Sequence, residues 1–141
     1  MNPFKTLAIM LCLTAWMTAA SCGDKEPQAA PRSLNNSTWI NEKTETVYDF
    51  DSTSFNAVTT TLIHFSDDST GLLTLRYRTP YLNAMDTMPF AYHYTNCQGT
   101  MTVRHVHYGG ITWNSQFSYN PIDNQLILRT NGLFYGVFFE L

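Results

Sequence analysis

From Trp39 to the C-terminus, apolar and polar residues alternate with a period of two, and short turn-forming clusters interrupt the alternation every eight to twelve residues. A pleated strand puts successive side chains on opposite faces, so this pattern demands half-buried strands and excludes amphipathic helices. The strand candidates are Thr38–Asn41, Thr46–Asp51, Thr59–Phe65, Leu72–Arg78, Pro89–Asn96, Thr100–His107, Ile111–Tyr119, Gln125–Thr130 and Leu133–Glu140. They are rich in Thr, Tyr, Phe, Val and Ile, which suit a pleated surface. Asn83–Met88 has room for a short helical turn at most.

Between these segments lie Ser66–Gly71, Asn96-Cys97-Gln98-Gly99, Gly109-Gly110, Asn120-Pro121 and Asn131-Gly132, all with turn chemistry. Loops this short join antiparallel neighbours. A meander of eight or nine strands leaves long unpaired edges unless it closes. The predicted fold is therefore all-β: an antiparallel up-and-down barrel of about eight strands over residues 37–141.

The faces can be aligned on paper. A two-residue loop at Asn131-Gly132 sets Leu128 opposite Tyr135 and Leu126 opposite Val137. A two-residue loop at Cys97-Gln98 sets Tyr92 opposite Val103 and Phe90 opposite His105. A two-residue loop at Gly109-Gly110 would place Val103 opposite Gln116. An odd loop, Tyr108–Gly110, instead pairs His105 with Trp113 and keeps the apolar residues together. His105 and His107 are then predicted to point inward, with Arg104 outward.

Before the barrel comes a different kind of segment. Met1–Lys5 carries one positive charge, and Thr6–Ala20 is apolar without a charged residue, which is the pattern of an export signal. Ala19-Ala20-Ser21-Cys22 then resembles a bacterial lipobox, with small residues before the cysteine. Residues 1–21 are read as a lipoprotein signal peptide and Cys22 as the lipidated residue. The competing reading is plain secretion with cleavage near Ala20. Of the three cysteines, Cys12 lies in the signal and Cys22 takes the lipid, so Cys97 is left without an intrachain disulfide partner. Residues 22–36, with Pro27 and Pro31, read as a flexible tether; about fourteen extended residues reach on the order of 45 Å. The partner this implies is a membrane, held through an N-terminal lipid anchor. With net charge -3 and only 13% charged residues, the chain lacks the dense basic patch of a nucleic-acid binder.

Taken together, these features resemble the small lipocalin-like lipoproteins of the Bacteroidetes type. Ser37-Thr38-Trp39 looks like their G-T-W motif, itself similar to the G-x-W of lipocalins. Phe65–Gly71 resembles their first long hairpin, Pro89-Phe90-Ala91-Tyr92 their mid-barrel strand, and Leu126-Ile127-Leu128 their penultimate strand. Asp24-Lys25-Glu26, just after the cysteine, is similar to the charged signals associated with export to the cell surface. The resemblance implies an outer-membrane lipoprotein of the cell envelope, with a barrel closed near Trp39 and a cavity.

The candidate ligand-binding residues are Tyr92, Tyr94, His105, His107, Trp113 and Tyr135, an aromatic face with polar tips suited to a small apolar or amphipathic molecule. Two histidines at this spacing fall short of the ligand count of a zinc site, so no metal is expected. No nucleophile elbow, phosphate loop or paired-carboxylate signature is present, so neither a catalytic residue nor a cofactor is expected. The alternative to a ligand pocket is a protein-binding module, with a filled barrel and an exposed apolar patch around Pro80, Tyr81, Leu82 and Met88. The anchor assignment predicts that Cys22→Ser moves the protein out of the membrane fraction. A variant as firmly membrane-bound as the wild type would contradict it.

Overall fold

Eight strands run in sequence order around a closed, wholly antiparallel barrel. They are β1 (Ser37–Tyr48), β2 (Ser54–Phe65), β3 (Thr70–Arg78), β4 (Asn83–Thr95), β5 (Gln98–His105), β6 (Ile111–Asn120), β7 (Gln125–Thr130) and β8 (Leu133–Glu140). This is a computed structural model, and it describes residues 32–141 apart from Tyr108 and the side chain of Phe134. The expectations for the signal peptide and for Cys22 lie outside the described residues.

The strands are longer at the start of the chain than the alternation suggests. Thr38–Asn41 and Thr46–Tyr48 are parts of one strand, β1, and the expected strand residues Asp49–Asp51 belong to the turn after it. The charged run Glu42–Glu45 between the two parts is exposed on both faces, so it carries no alternation. Asp49–Thr53 makes the turn, and β2 starts at Ser54. Asn83–Met88 is strand, not a helical turn.

Two of the expected registers shift by two residues and so keep their faces. The β4–β5 turn is Asn96-Cys97, both with positive φ (52° and 63°), as a tight hairpin turn requires. Tyr92 therefore pairs with Met101 and Phe90 with Val103. The β5–β6 connection spans five residues, so His105 pairs with Ile111 and Val103 with Trp113. In the β7–β8 hairpin, Asn131-Gly132 makes the expected turn, but a bulge after Leu128 breaks the register. Leu128 faces Gly136, and Leu126 faces Phe138 in place of Val137.

Two ladders stop early, each for a local reason. Thr95 and Gln98 flank the two-residue turn, so the hydrogen-bonded rungs from β4 to β5 fall on 95, 93 and 91. The next rung needs an amide from residue 89, and Pro89 has none. Between β8 and β1, the Leu141 amide donates to the Thr38 carbonyl (2.9 Å), and pairing ends at Ile40 with Phe139. There the Asn41 side-chain amide donates to the Val137 carbonyl (2.8 Å), the acceptor that the next backbone rung would use. The barrel is thus fully laddered at one end and split on two sides at the other.

The laddered end holds the core. Trp39, Ile63, Phe65, Met88, Phe90, Met101, Val103, Phe117, Leu126 and Phe138 are buried there. Two inward-facing glycines make room for rings: a Cβ on Gly71 would lie 2.2 Å from the Phe90 ring, and one on Gly99 would lie 2.1 Å from the Phe117 ring. The tether expected through Asn36 meets the barrel sooner, because Leu34 is buried in this core and Arg32 grips Glu140 with both guanidinium nitrogens. At the same end, the Asp67 carboxylate accepts hydrogen bonds from Thr70 and Ser69, which pull its pKa down to about 2. The β2–β3 turn therefore keeps its charge well into acid. That contribution is lost only as the pH falls from the ordinary Asp range towards 2.

Trp39 is fully buried (0% exposed), and its indole N–H donates to Ser37 Oγ (2.8 Å); that hydroxyl in turn donates to the Leu34 carbonyl. Trp39→Ala should destabilise the domain by about 3–5 kcal/mol. Ser37→Ala, which leaves the indole N–H buried and unpaired, should cost about 1–3 kcal/mol in denaturant melts. A loss below about 0.5 kcal/mol for Ser37→Ala would show that the relay is not needed.

Candidate functional site

The expected site residues do not converge; they divide between the two ends of the barrel. Tyr92 and Tyr94 belong to the filled end. The Tyr92 ring packs edge-on to Phe65 (4.8 Å between centroids), and its hydroxyl donates to the Asp67 carbonyl (2.6 Å). Tyr94 stacks on Phe117 at 5.9 Å and 11°. Its hydroxyl is buried with no hydrogen-bond partner among the described residues. Burial, with the neighbouring Cys97 thiol adding to it, pushes this phenol above its usual range. Both rings pack against the core and also line a cleft of about 420 Å³ with Ser33, Asp68 and Asn96.

His105 and Trp113 stand towards the split end. His105 is mostly buried and faces inward, as expected, while Arg104 is exposed. Its Nε2 lies 2.5 Å from Asp86 Oδ2, across the gap that Pro89 opens between β4 and β5. The Trp113 ring is 6.5 Å from the His105 ring. His107 departs from the expectation: β5 ends at His105, and His107 sits exposed in the following loop, its ring 6.3 Å from that of His105. Tyr135 departs too. It is the extra residue of the β8 bulge, 47% exposed, with its ring stacked on Phe138.

Asp86 is the residue that sequence reasoning missed. With Pro89 taken as the start of its strand, Asp86 fell in a connection. Extending β4 back to Asn83 puts Asp86 on the inward face with Met88 and Phe90. Beside it opens a cleft of about 530 Å³, lined by Thr59, Leu75, Tyr77, Ala84, Asp86 and His107, with Arg76 and Met85 on the rim. Higher inside the barrel the walls turn polar, with Thr61 and Ser115 buried and Ser115 bonded to Thr130 (3.0 Å). A carboxylate that orients an imidazole beside an apolar wall can hydrogen-bond a polar head group while the wall takes an apolar body. Among the described residues, no three His, Cys, Asp or Glu side chains converge as metal ligands would. The apolar patch expected at Pro80, Tyr81, Leu82 and Met88 is realised in part. Tyr81 and Leu82 are exposed, whereas Met88 is in the core.

No family model, curated protein or solved structure matches this chain. Function has to be read from the geometry alone.

The unpartnered Tyr94 hydroxyl has a measurable consequence. Tyr94→Phe removes a buried polar group without removing the stacked ring, and should leave stability unchanged or raise it by about 1 kcal/mol. A loss above about 1 kcal/mol would mean that the hydroxyl has a partner in solution.

Proposed function

We propose that this chain is a lipid-anchored, non-enzymatic protein of the cell envelope, outer-membrane in location and akin to the small lipocalin-like lipoproteins. In this reading it binds a small apolar or amphipathic molecule in the split half of its barrel. The observation that carries the reading is the cleft beside the Asp86–His105 pair, where polar groups and an apolar wall meet inside the split half of the barrel. The interior of the filled end is occupied by aromatic rings. At that end Arg32 is also bound to Glu140.

A second reading has its own support. Tyr81 and Leu82 on the β3–β4 turn, and Tyr48 at the end of β1, are exposed around the same mouth. A protein-binding module, such as an accessory subunit of an envelope complex or a protease inhibitor, would use that rim.

The two readings separate in a native mass spectrum of the full chain extracted from its envelope. The ligand reading expects a small-molecule adduct that Ala84→Trp, which fills the cleft, removes while the barrel stays folded. A co-extracted protein that survives Ala84→Trp and is lost with Tyr81→Ser and Leu82→Ser would favour the module. An adduct that Ala84→Trp leaves in place would contradict the cleft.

A further inference from the structure

Beyond Ile40, β1 has β2 on one side and, among the described residues, nothing laddered on the other. The rungs towards β8 fall on even-numbered residues, as the Thr38–Leu141 bond shows. Past Asn41, the backbone N–H and C=O groups of Glu42, Thr44, Thr46 and Tyr48 therefore point away from β2, with no ladder partner among the described residues. Side chains on both faces of this stretch are exposed, except for half-buried Val47. A free edge of this kind is a template for another strand, and proteins normally blunt or cover it.

We propose that this edge pairs with the same edge of a second copy of the chain, antiparallel, about a two-fold axis at Thr44. The side chains choose both the partner and the register. Lys43 and Glu45 lie on one face two residues apart and already form an ion pair within the chain. With Thr44 opposite Thr44, Glu42 stands opposite Thr46 of the other copy. Lys43 then meets Glu45 across the seam, twice by symmetry. The registers one rung to either side set Lys43 against Lys43 or Glu45 against Glu45, which like-charge repulsion disfavours. Each of the three rungs exchanges two backbone hydrogen bonds. The ladder stops where Phe139 already occupies the edge at Ile40. That brings Tyr48 of one copy (70% exposed) towards Phe139 of the other (53% exposed), adding apolar contact at each end. None of the edge residues Glu42–Tyr48 is among those lining the Asp86 cleft.

Cysteine cross-linking of the full-length chain in its own membranes tests the pairing. In a hydrogen-bonded antiparallel rung the two Cα atoms lie about 5.5 Å apart, within disulfide reach. Thr44→Cys should cross-link to a dimer under mild oxidation. The wild type, with its own Cys22 and Cys97, and Thr46→Cys should not. Adding Lys43→Glu to Thr44→Cys should lower the dimer yield about tenfold, and adding Glu45→Lys as well should restore it. No dimer from Thr44→Cys above the wild-type level would overturn the proposal. So would equal cross-linking of Thr46→Cys, or a charge swap that fails to restore the yield.

Discussion

The indole of Trp39 is buried where the first strand joins the barrel, and its N–H has to find an acceptor there. Ser37 supplies one from two residues back, and its hydroxyl in turn donates a hydrogen bond to the carbonyl of Leu34. This short relay fixes the strand entrance to the core. It also explains why Leu34, in a segment that reads as tether, is buried. Around it the Phe65, Phe90 and Phe117 rings fill the end of the barrel, two of them seated on glycines that no larger residue could replace without displacing a ring.

The filled end lets the other end stay open. Pro89 cannot supply the next rung to β5, and Asn41 takes the carbonyl that the next rung from β1 would need. Above these two points the sheet is no longer continuous around the barrel. One gap is spanned by the side-chain pair of Asp86 and His105, and the other exposes the edge of β1. The cleft beside Asp86 and the exposed edge of β1 thus both lie where a ladder stops early, one at a proline and one at an asparagine.

Much of this was legible in the alternation of residues. The closed meander followed from short loops and the need to pair edges, and the inward direction of His105 from faces and loop parity. They held even where the register moved by two, because an even shift leaves every side chain on its face. What escaped notice has identifiable causes. Glu42–Glu45 was read as a break because a strand exposed on both faces shows no alternation. Asp86 was missed because the proline three residues on looked like a strand boundary. Gly71 and Gly99 read as turn residues in the sequence, since nothing local says that a distant ring will cover them. Tyr135 was assigned to the inner face on an unbroken register, and a bulge is invisible without the partner strand. Tyr92 and Tyr94 were grouped with the histidines because a sequence reports the face of a residue more readily than its height along the barrel.

The central claim is that binding belongs to the split half and not to the aromatic end. Amide hydrogen exchange on the full-length chain tests it most directly, measured as isolated from the envelope and again after solvent delipidation. The account predicts that delipidation speeds exchange around Thr59, Leu75–Asp86 and His105–Trp113, and leaves Trp39, Phe65 and Phe117 unchanged. A change confined to the aromatic end, or no change at all, would contradict it.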